Sequence, residues 1–270
     1  MKNLFKNDRN FNKDVFEQLG YCVVEHNDLI VKSRHDLTAK ELKIMDFVIS
    51  KIKPDDTKFN TVHTSLYELN KVMGLNIRSG SNYSYMAEKL VGLREKTIAI
   101  FEEGNTRAVT FTGWLSDVTV KENGQVSLKL SDKLVPYLLN LKKDYTQYYL
   151  HDTAQLNSKY AIMIYKLMRE ADKSKGKKTP TLTITPDDLK EKLGAPKSYS
   201  FGDLNRNIIK PAIEEINLKI EDMDLHMNKG TRGRKVVHLE IYNRFYPRNP
   251  KQDENSTPVP MINWLEDLEK

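Results

Sequence analysis

Between Ser200 and Asn217 the chain reads SFGDLNRNIIKPAIEEIN. These residue types suit one kind of chemistry, hydrogen bonding along the edge of a polyanion. Laid on a helix at about 100° per residue, Asp203, Arg206, Asn207, Lys210, Glu214 and Asn217 fall on one stripe. Leu204, Ile208, Ile209, Ala212 and Ile216 cover the other side, toward a core. Arg presents a bidentate fork to guanine and Asn one to adenine, so the stripe fits base edges and phosphates in a DNA major groove. An ordinary surface helix has the same two faces. Ser200 reads as the cap, with Asp203 on the first-turn amides. Farther on, Lys229-Gly230-Thr231-Arg232-Gly233-Arg234-Lys235 packs four cations into seven residues. Such a loop reaches phosphates or a minor groove; a solvated turn is the alternative. Lys197, just before the helix, adds to the same positive surface. The run Lys173–Lys178, with Lys177 and Lys178 at its end, reads equally as a phosphate contact or a solvated loop.

Other chemistries find less support. The histidines at 26, 35, 63, 151, 226 and 238 form no His-x-His pair and no His-x-x-x-Cys spacing, so no metal site is expected. No GxxxxGK[ST] phosphate loop occurs, and Asp187-Asp188 follows Thr185-Pro186 as a helix start does. A nicking enzyme with a tyrosine nucleophile stays open, because the chain has 13 tyrosines. None has a recognisable base or metal beside it. We therefore expect no catalysis and no cofactor.

The 270 residues suffice for one large or two modest domains. With 39% hydrophobic and 30% charged residues the composition is that of a soluble globular protein. Charges interrupt every apolar run, so no membrane span is expected, and MKNLFKNDRN lacks a secretory core. One cysteine, Cys22, leaves no internal disulfide and fits a reducing cytoplasm. The formal charge of +6 is uneven: residues 1–145 hold 22 basic and 19 acidic side chains, 146–248 hold 19 and 13, and the tail 2 and 5. The positive excess surrounds the helix described above, as a polyanionic partner requires.

The elements that must position these groups come in a repeated order. Residues 1–20 read as a flexible N-terminal arm, and Tyr21–Val31 as a strand. Thr38 with Glu41 forms a capping box, and Leu37 against Leu42 a hydrophobic staple, for a helix ending before Pro54. A short strand at Thr61–His63, a second capping box at Ser65/Glu68 and a third helix capped by Ser81 follow. Strands at Thr97–Phe101, Val109–Val120 and Gln125–Leu130 come next, the last two joined by the turn Asn123-Gly124. Ser131 to about Lys143 reads as a linking helix. Then the order returns: a helix from a capping box at Asp152/Gln155, a strand Thr181–Thr185, a helix from Thr185, the long helix from Ser200. Strands Met223–Met227 and Val236–Phe245 flank the cationic loop. Thr38 to Asp152 is 114 positions, Ser65 to Thr185 is 120 and Ser81 to Ser200 is 119. Helix, strand, helix, helix, hairpin is the order of a winged helix. The expected fold is α+β, two tandem winged-helix domains related by pseudo-duplication: 21–144 and 145–246, with an acidic flexible tail over 247–270. Trp264 in that tail reads as a frayed end or a docking anchor.

Specific residues resemble a known family. Tyr199-x-Phe201-x-x-Leu204-x-Arg206-x-Ile208-Ile209-x-Pro211-Ala212-x-x-Glu215-Ile216-Asn217 resembles the signature of the plasmid replication initiators of the RepA/RepB/RepE type. Ser158-Lys159-Tyr160-Ala161 with Ile164-Tyr165-Lys166-Leu167 resembles a second one. Pro211 within a helix is unexpected from propensity. The resemblance covers roughly residues 22–245. It implies that the two winged helices read two parts of one repeat in double-stranded DNA, with the long helix in the major groove. It also implies origin melting, recruitment of host DnaA and replicative helicase, and a homodimer in equilibrium with the monomer that represses its own promoter. By analogy between the halves, Arg78, Ser81, Asn82, Tyr85 and Lys89 meet a second groove. A plain winged-helix repressor shares every one of these DNA-binding features.

Overall fold

The computed structural model describes residues 21–53, 56–74, 82–102, 108–172 and 179–244. The chain enters through β1 (Cys22–His26), α1 (Asn27–Val31) and β2 (Ser33–His35). The single strand expected over Tyr21–Val31 thus stops at His26. There the His26 ring nitrogen accepts from the Asp28 amide and starts a helical turn. Helix α2 (Ala39–Ile49) opens on the expected box: Thr38 accepts from Glu41 N, and the Glu41 carboxylate accepts from Thr38 N. β3 (Val62–Ser65) and α3 (Leu66–Val72) follow, with Ser65 and Glu68 reciprocating in the same way. Helix α4 (Asn82–Glu95) buries Met86, Leu90 and Leu93.

After α4 the structure departs from the expectation. Val109–Val120 is not one strand. Gly113 and the buried Trp114 break it into β5 (Ala108–Gly113) and β6 (Leu115–Val120), which join different sheets. β5 pairs with β4 (Thr97–Glu102), which pairs with β2; β6 pairs with β7 (Gln125–Leu130), which pairs with β3. The wing of the first domain is therefore β6–β7, with β4–β5 inserted before it. The expected linking helix is also shorter, a 3₁₀ turn at Asp132–Leu134 and one turn of α5 (Val135–Leu138). Asn140 and Asp144, both at φ 53°, turn the chain out of helix.

In the second half come β8 (Tyr145–Tyr149), α6 (Leu150–Gln155), α7 (Lys159–Asp172), β9 (Thr181–Ile184) and α8 (Pro186–Lys192). The long helix is built from α9 (Phe201–Leu204), a π-helical turn Asn205–Ile209 and α10 (Lys210–Lys219). β10 (Leu225–Arg232) and β11 (Lys235–Asn243) close the fold. Asp152 is not a cap. It lies inside α6, where its carboxylate accepts from Tyr165 Oη at 2.6 Å and pairs with Arg169 at 3.2 Å. The helix expected from it starts at Lys159 instead, with Ser158 Oγ accepting from Tyr160 N. That correction tightens the repeat, because Ser158 stands 120 positions after Thr38, the offset of Ser65 to Thr185. The sheets agree: β3-β7-β6 in one half and β9-β11-β10 in the other. These are two winged-helix domains.

The halves share a buried seam. β1 pairs antiparallel with β8 from Cys22↔Tyr149 to His26↔Tyr145. Beneath that pair, Lys166 of α7 lies 2.6 Å from Asp46 of α2 and 3.2 Å from Glu25 of β1. Tyr148 Oη donates to Glu25 at 2.7 Å. Asp46 is 0% exposed, and Glu25 and Tyr148 are each 3% exposed. Burial alone would lower the Lys166 pKa, yet the two carboxylates turn the shift upward; the Tyr148 hydroxyl is pushed up by burial and by the same acids. Around this cluster Arg34 of β2 meets Glu191 of α8 at 3.0 Å, Lys192 donates to the Val31 carbonyl, and Lys43 donates to Ala154 O at 2.6 Å.

Removing one partner from such a cluster strands the others. Lys166→Met is expected to cost about 3–5 kcal/mol in urea unfolding. The triple change Glu25→Gln, Asp46→Asn, Lys166→Met should recover most of that; a single-variant loss below about 1 kcal/mol would deny the cluster this role. His35 gives a pH signature. Burial, then Lys166 and Lys159, lowers its pKa from 6.5 to about 3. The unfolded chain therefore takes up a proton first as pH falls, so the His35 contribution is complete above 6.5 and is lost down to about 3. His35→Gln should flatten the melting temperature across that window relative to wild type.

Candidate nucleic-acid interface

The long helix begins where sequence places it. Ser200 accepts from Asp203 N at 3.2 Å, and the Asp203 carboxylate accepts from Ser200 N and Oγ. These bonds hold the Asp203 pKa below the usual carboxylate range. Its interruption answers to the core. Leu204, Ile208, Ile209, Ala212, Ile216 and Ile220 are all buried. From 204 to 220 at four-residue steps, an ideal helix would carry this stripe about 160° around its axis. A π-turn takes one extra residue without an extra turn, and so removes about 100° of that drift. Lys210 N accordingly bonds Asn205 O, five residues back. Pro211 follows directly and is tolerated because it has no amide to place.

With its buried side in phase, the helix presents Arg206, Asn207, Lys210, Pro211 and Glu214 to solvent. The side chains of Arg206 and Lys210 are 74% and 70% exposed. Arg206 pairs with Asp203 at 2.8 Å and Lys210 with Glu214 at 3.8 Å. Exposed pairs of this kind hold by about 1 kcal/mol or less, so a phosphate or base edge displaces them readily. Asp203 thus serves the cap and Arg206. Asn217, expected on the same stripe, is turned to structural use: its amide exchanges hydrogen bonds with the backbone of Leu225 at 2.6 and 2.9 Å. Glu215 accepts from Asn157 N and Ser158 N, and Lys219 donates to Gln155 O. The rear of the helix is anchored along its last two turns.

The wing is longer and tighter than the loop expected over Asn228–Lys235. Its strands run to Arg232 and from Lys235, leaving Gly233-Arg234 as the turn, with Gly233 at φ 62°. At Gly230 the ladder shifts register, and a Cβ there would sit 1.8 Å from the His238 ring, which covers the site. Thr231, Arg232, Arg234 and Lys235 are exposed at the tip. At its base Lys229 Nζ lies 5.8 Å from the Phe201 ring, linking wing to helix start. Lys197 is exposed in the turn before Ser200.

In the first domain Tyr85 and Lys89 are exposed on α4, with Lys89 Nζ 5.3 Å from the Tyr85 ring. Lys40 of α2, which the sequence reading missed, approaches the same ring at 5.9 Å. Only the fold reveals it, since 45 positions separate the two residues. A shallow cleft beside the first wing, lined by His63, Lys121, Gln125 and Ser127, was likewise missed. Asn82 opens α4; Arg78, Ser81, Lys177, Lys178, residues 1–20 and the segment holding Trp264 lie outside the described residues. Burial pushes the Tyr148 and Tyr165 hydroxyls up, the reverse of an activated nucleophile. Among the described residues no three His, Cys, Asp or Glu gather as metal ligands, and no helix is long and apolar enough to cross a membrane.

Comparison with known proteins meets the same architecture. The family model described as "Initiator Replication protein, WH1" matches residues 22–169, and "Initiator Rep protein, WH2" matches 185–243. A "Probable replication protein rep" of Bifidobacterium longum is 26% identical over 192 residues, 68% of this chain and 61% of that protein's length. The Pi initiator protein, solved in complex with iteron DNA, superposes with a TM-score of 0.66 at 19% identity, covering 83% of this chain and 97% of its own.

Proposed function

The chain belongs to the initiator replication protein family, and from that premise we propose that it binds repeated double-stranded sites at a plasmid origin. The observation that carries this reading is the pair of winged helices joined through a buried seam, with a cationic helix face and wing left open in the second. In this proposal residues 145–246 supply the main reading surface. Arg206, Asn207 and Lys210 enter a major groove, while Lys229, Arg232, Arg234, Lys235 and Lys197 meet phosphates. Residues 21–144 supply a second contact through Tyr85 and Lys89 and the surface that closes a homodimer. The protein acts in the cytoplasm and without catalysis of its own. Assembly on the repeats and bending of DNA supply the free energy that opens an adjacent AT-rich region, on the order of a few kcal/mol. DnaA and the replicative helicase of the host are then recruited, and the dimer represses the protein's own promoter.

Binding to DNA flanking its gene, by mobility shift at two salt concentrations, tests the reading. A ladder of complexes on direct repeats is expected. One complex on an inverted repeat alone would point to a plain repressor, and Mg²⁺-dependent cleavage to a nicking enzyme. Two changes separate the contacts. Arg206→Ala is expected to weaken cognate binding by about 1–3 kcal/mol, and unchanged affinity would remove the helix from the interface. Neutralising Arg232 and Arg234 together should weaken binding on all sequences and lower the salt slope by roughly two ions. Loss of specificity at an unaltered slope would contradict a phosphate-binding wing.

A further inference from the structure

The joint between α6 and α7, residues 154–158, is held from both sides by side chains of distant helices. Ala154 and Gln155 end α6, where carbonyls have no partner within the helix. Lys43 of α2 donates to Ala154 O at 2.6 Å, and Lys219 of α10 donates to Gln155 O at 2.9 Å. Past the joint, Glu215 of α10 accepts from Asn157 N at 2.6 Å and from Ser158 N at 3.1 Å, at the entry to α7. Lys219 also meets the Glu215 carboxylate at 2.6 Å. Cations on the carbonyl end of one helix and a carboxylate on the amide end of the next match the polarity of both.

Lys43 is 3% exposed. Burial, then the Lys219 ammonium, lowers its pKa to about 8, with Glu215 opposing, so the three charges lie close together. The clasp also joins the two stretches that carry the family resemblance: Ser158 begins one, and Glu215 stands near the end of the other. Neither residue lies on the exposed stripe of Arg206, Asn207 and Lys210, so contact with DNA does not account for them. Position does. α9, the π-turn and α10 follow one another without a break, so whatever seats Glu215 and Lys219 also places the stripe on the same helix.

Resting on the DNA-binding reading above, we propose that Lys43 is a positioning residue for the reading helix. By fixing the joint on which Glu215 and Lys219 seat, it fixes the height and roll of Arg206, Asn207 and Lys210 in the groove. Base discrimination then depends on a buried ammonium that belongs neither to the reading helix nor to its wing.

The test uses the full chain. Sites are selected by the wild type from randomised duplexes. Wild type, Lys43→Met, Glu215→Gln and the double variant are then titrated on the selected site, its single-base variants and unrelated DNA at two salt concentrations. Arg34→Gln is the control, because it breaks the ion pair with Glu191 and leaves the joint alone. All variants should melt below wild type, and binding is measured well below every melting temperature. Lys43→Met and Glu215→Gln are each expected to lose about 3- to 30-fold of discrimination between the selected site and its variants, at an unchanged salt slope. The double variant should lose no more than the worse single one, since both act through one joint. Arg34→Gln should discriminate within about twofold of wild type. Discrimination within about twofold of wild type in folded Lys43→Met overturns the proposal. If that variant does not fold, the same result in Glu215→Gln, whose side chain is less buried, overturns it equally. So do additive losses in the double variant, or an equal loss in Arg34→Gln, which would mean that lost stability alone blunts reading. A wild type without any sequence preference would instead remove the DNA-binding reading itself.

Discussion

One buried ionic cluster ties the start of the chain to the helix that follows its midpoint. Lys166 of α7 reaches back to Asp46 of α2 and Glu25 of β1, under the β1–β8 pair, and Tyr148 completes the set. Two carboxylates and one ammonium removed from water are costly, and an apolar seam of the same volume would often be as stable. Its short contacts bring α2, β1, β8 and α7 together at one point. Lys43, Arg34 and Lys192 then fasten the rim of the seam.

The long helix repeats this division of labour on a smaller scale. Its rear is committed: Glu215 and Lys219 grip the segment before α7, and Asn217 grips the start of β10. Its front is held only by the weak exposed pairs Arg206–Asp203 and Lys210–Glu214. Anchored behind and loosely paired in front, the helix keeps its position while its charges remain available. The π-turn serves both faces, since without it the core stripe would wind out of the interior before Ile220.

What sequence disclosed and what it concealed divide by range. The capping boxes at Thr38 and Ser65 and the cap at Ser200 were legible because donor and acceptor lie three residues apart. Asp152 misled because its partners, Tyr165, Arg169 and Asp222 by way of Arg169, are brought up by tertiary packing. The Lys166 cluster left no local sign, since its members lie 102 or more positions from their partners. Trp114 reads as an ordinary strand residue, yet its burial is where one strand becomes two. The cationic residues of the second domain were legible as a group. Which polar residues of the long helix serve structure instead was not: Asn217 looks like Asn207 until β10 is seen beside it. Pro211 announced a departure from helix, and the spacing of Leu204, Ile208, Ile209 and Ala212 contains its form.

In the proposed reading a single chain places both of its winged helices on one repeat. Hydroxyl-radical footprinting of the wild-type chain on a selected site tests this most directly. The account predicts two protected patches on one face of the duplex, about one helical turn apart, at concentrations where one chain is bound. A single patch confined to the region read by the second domain would contradict it.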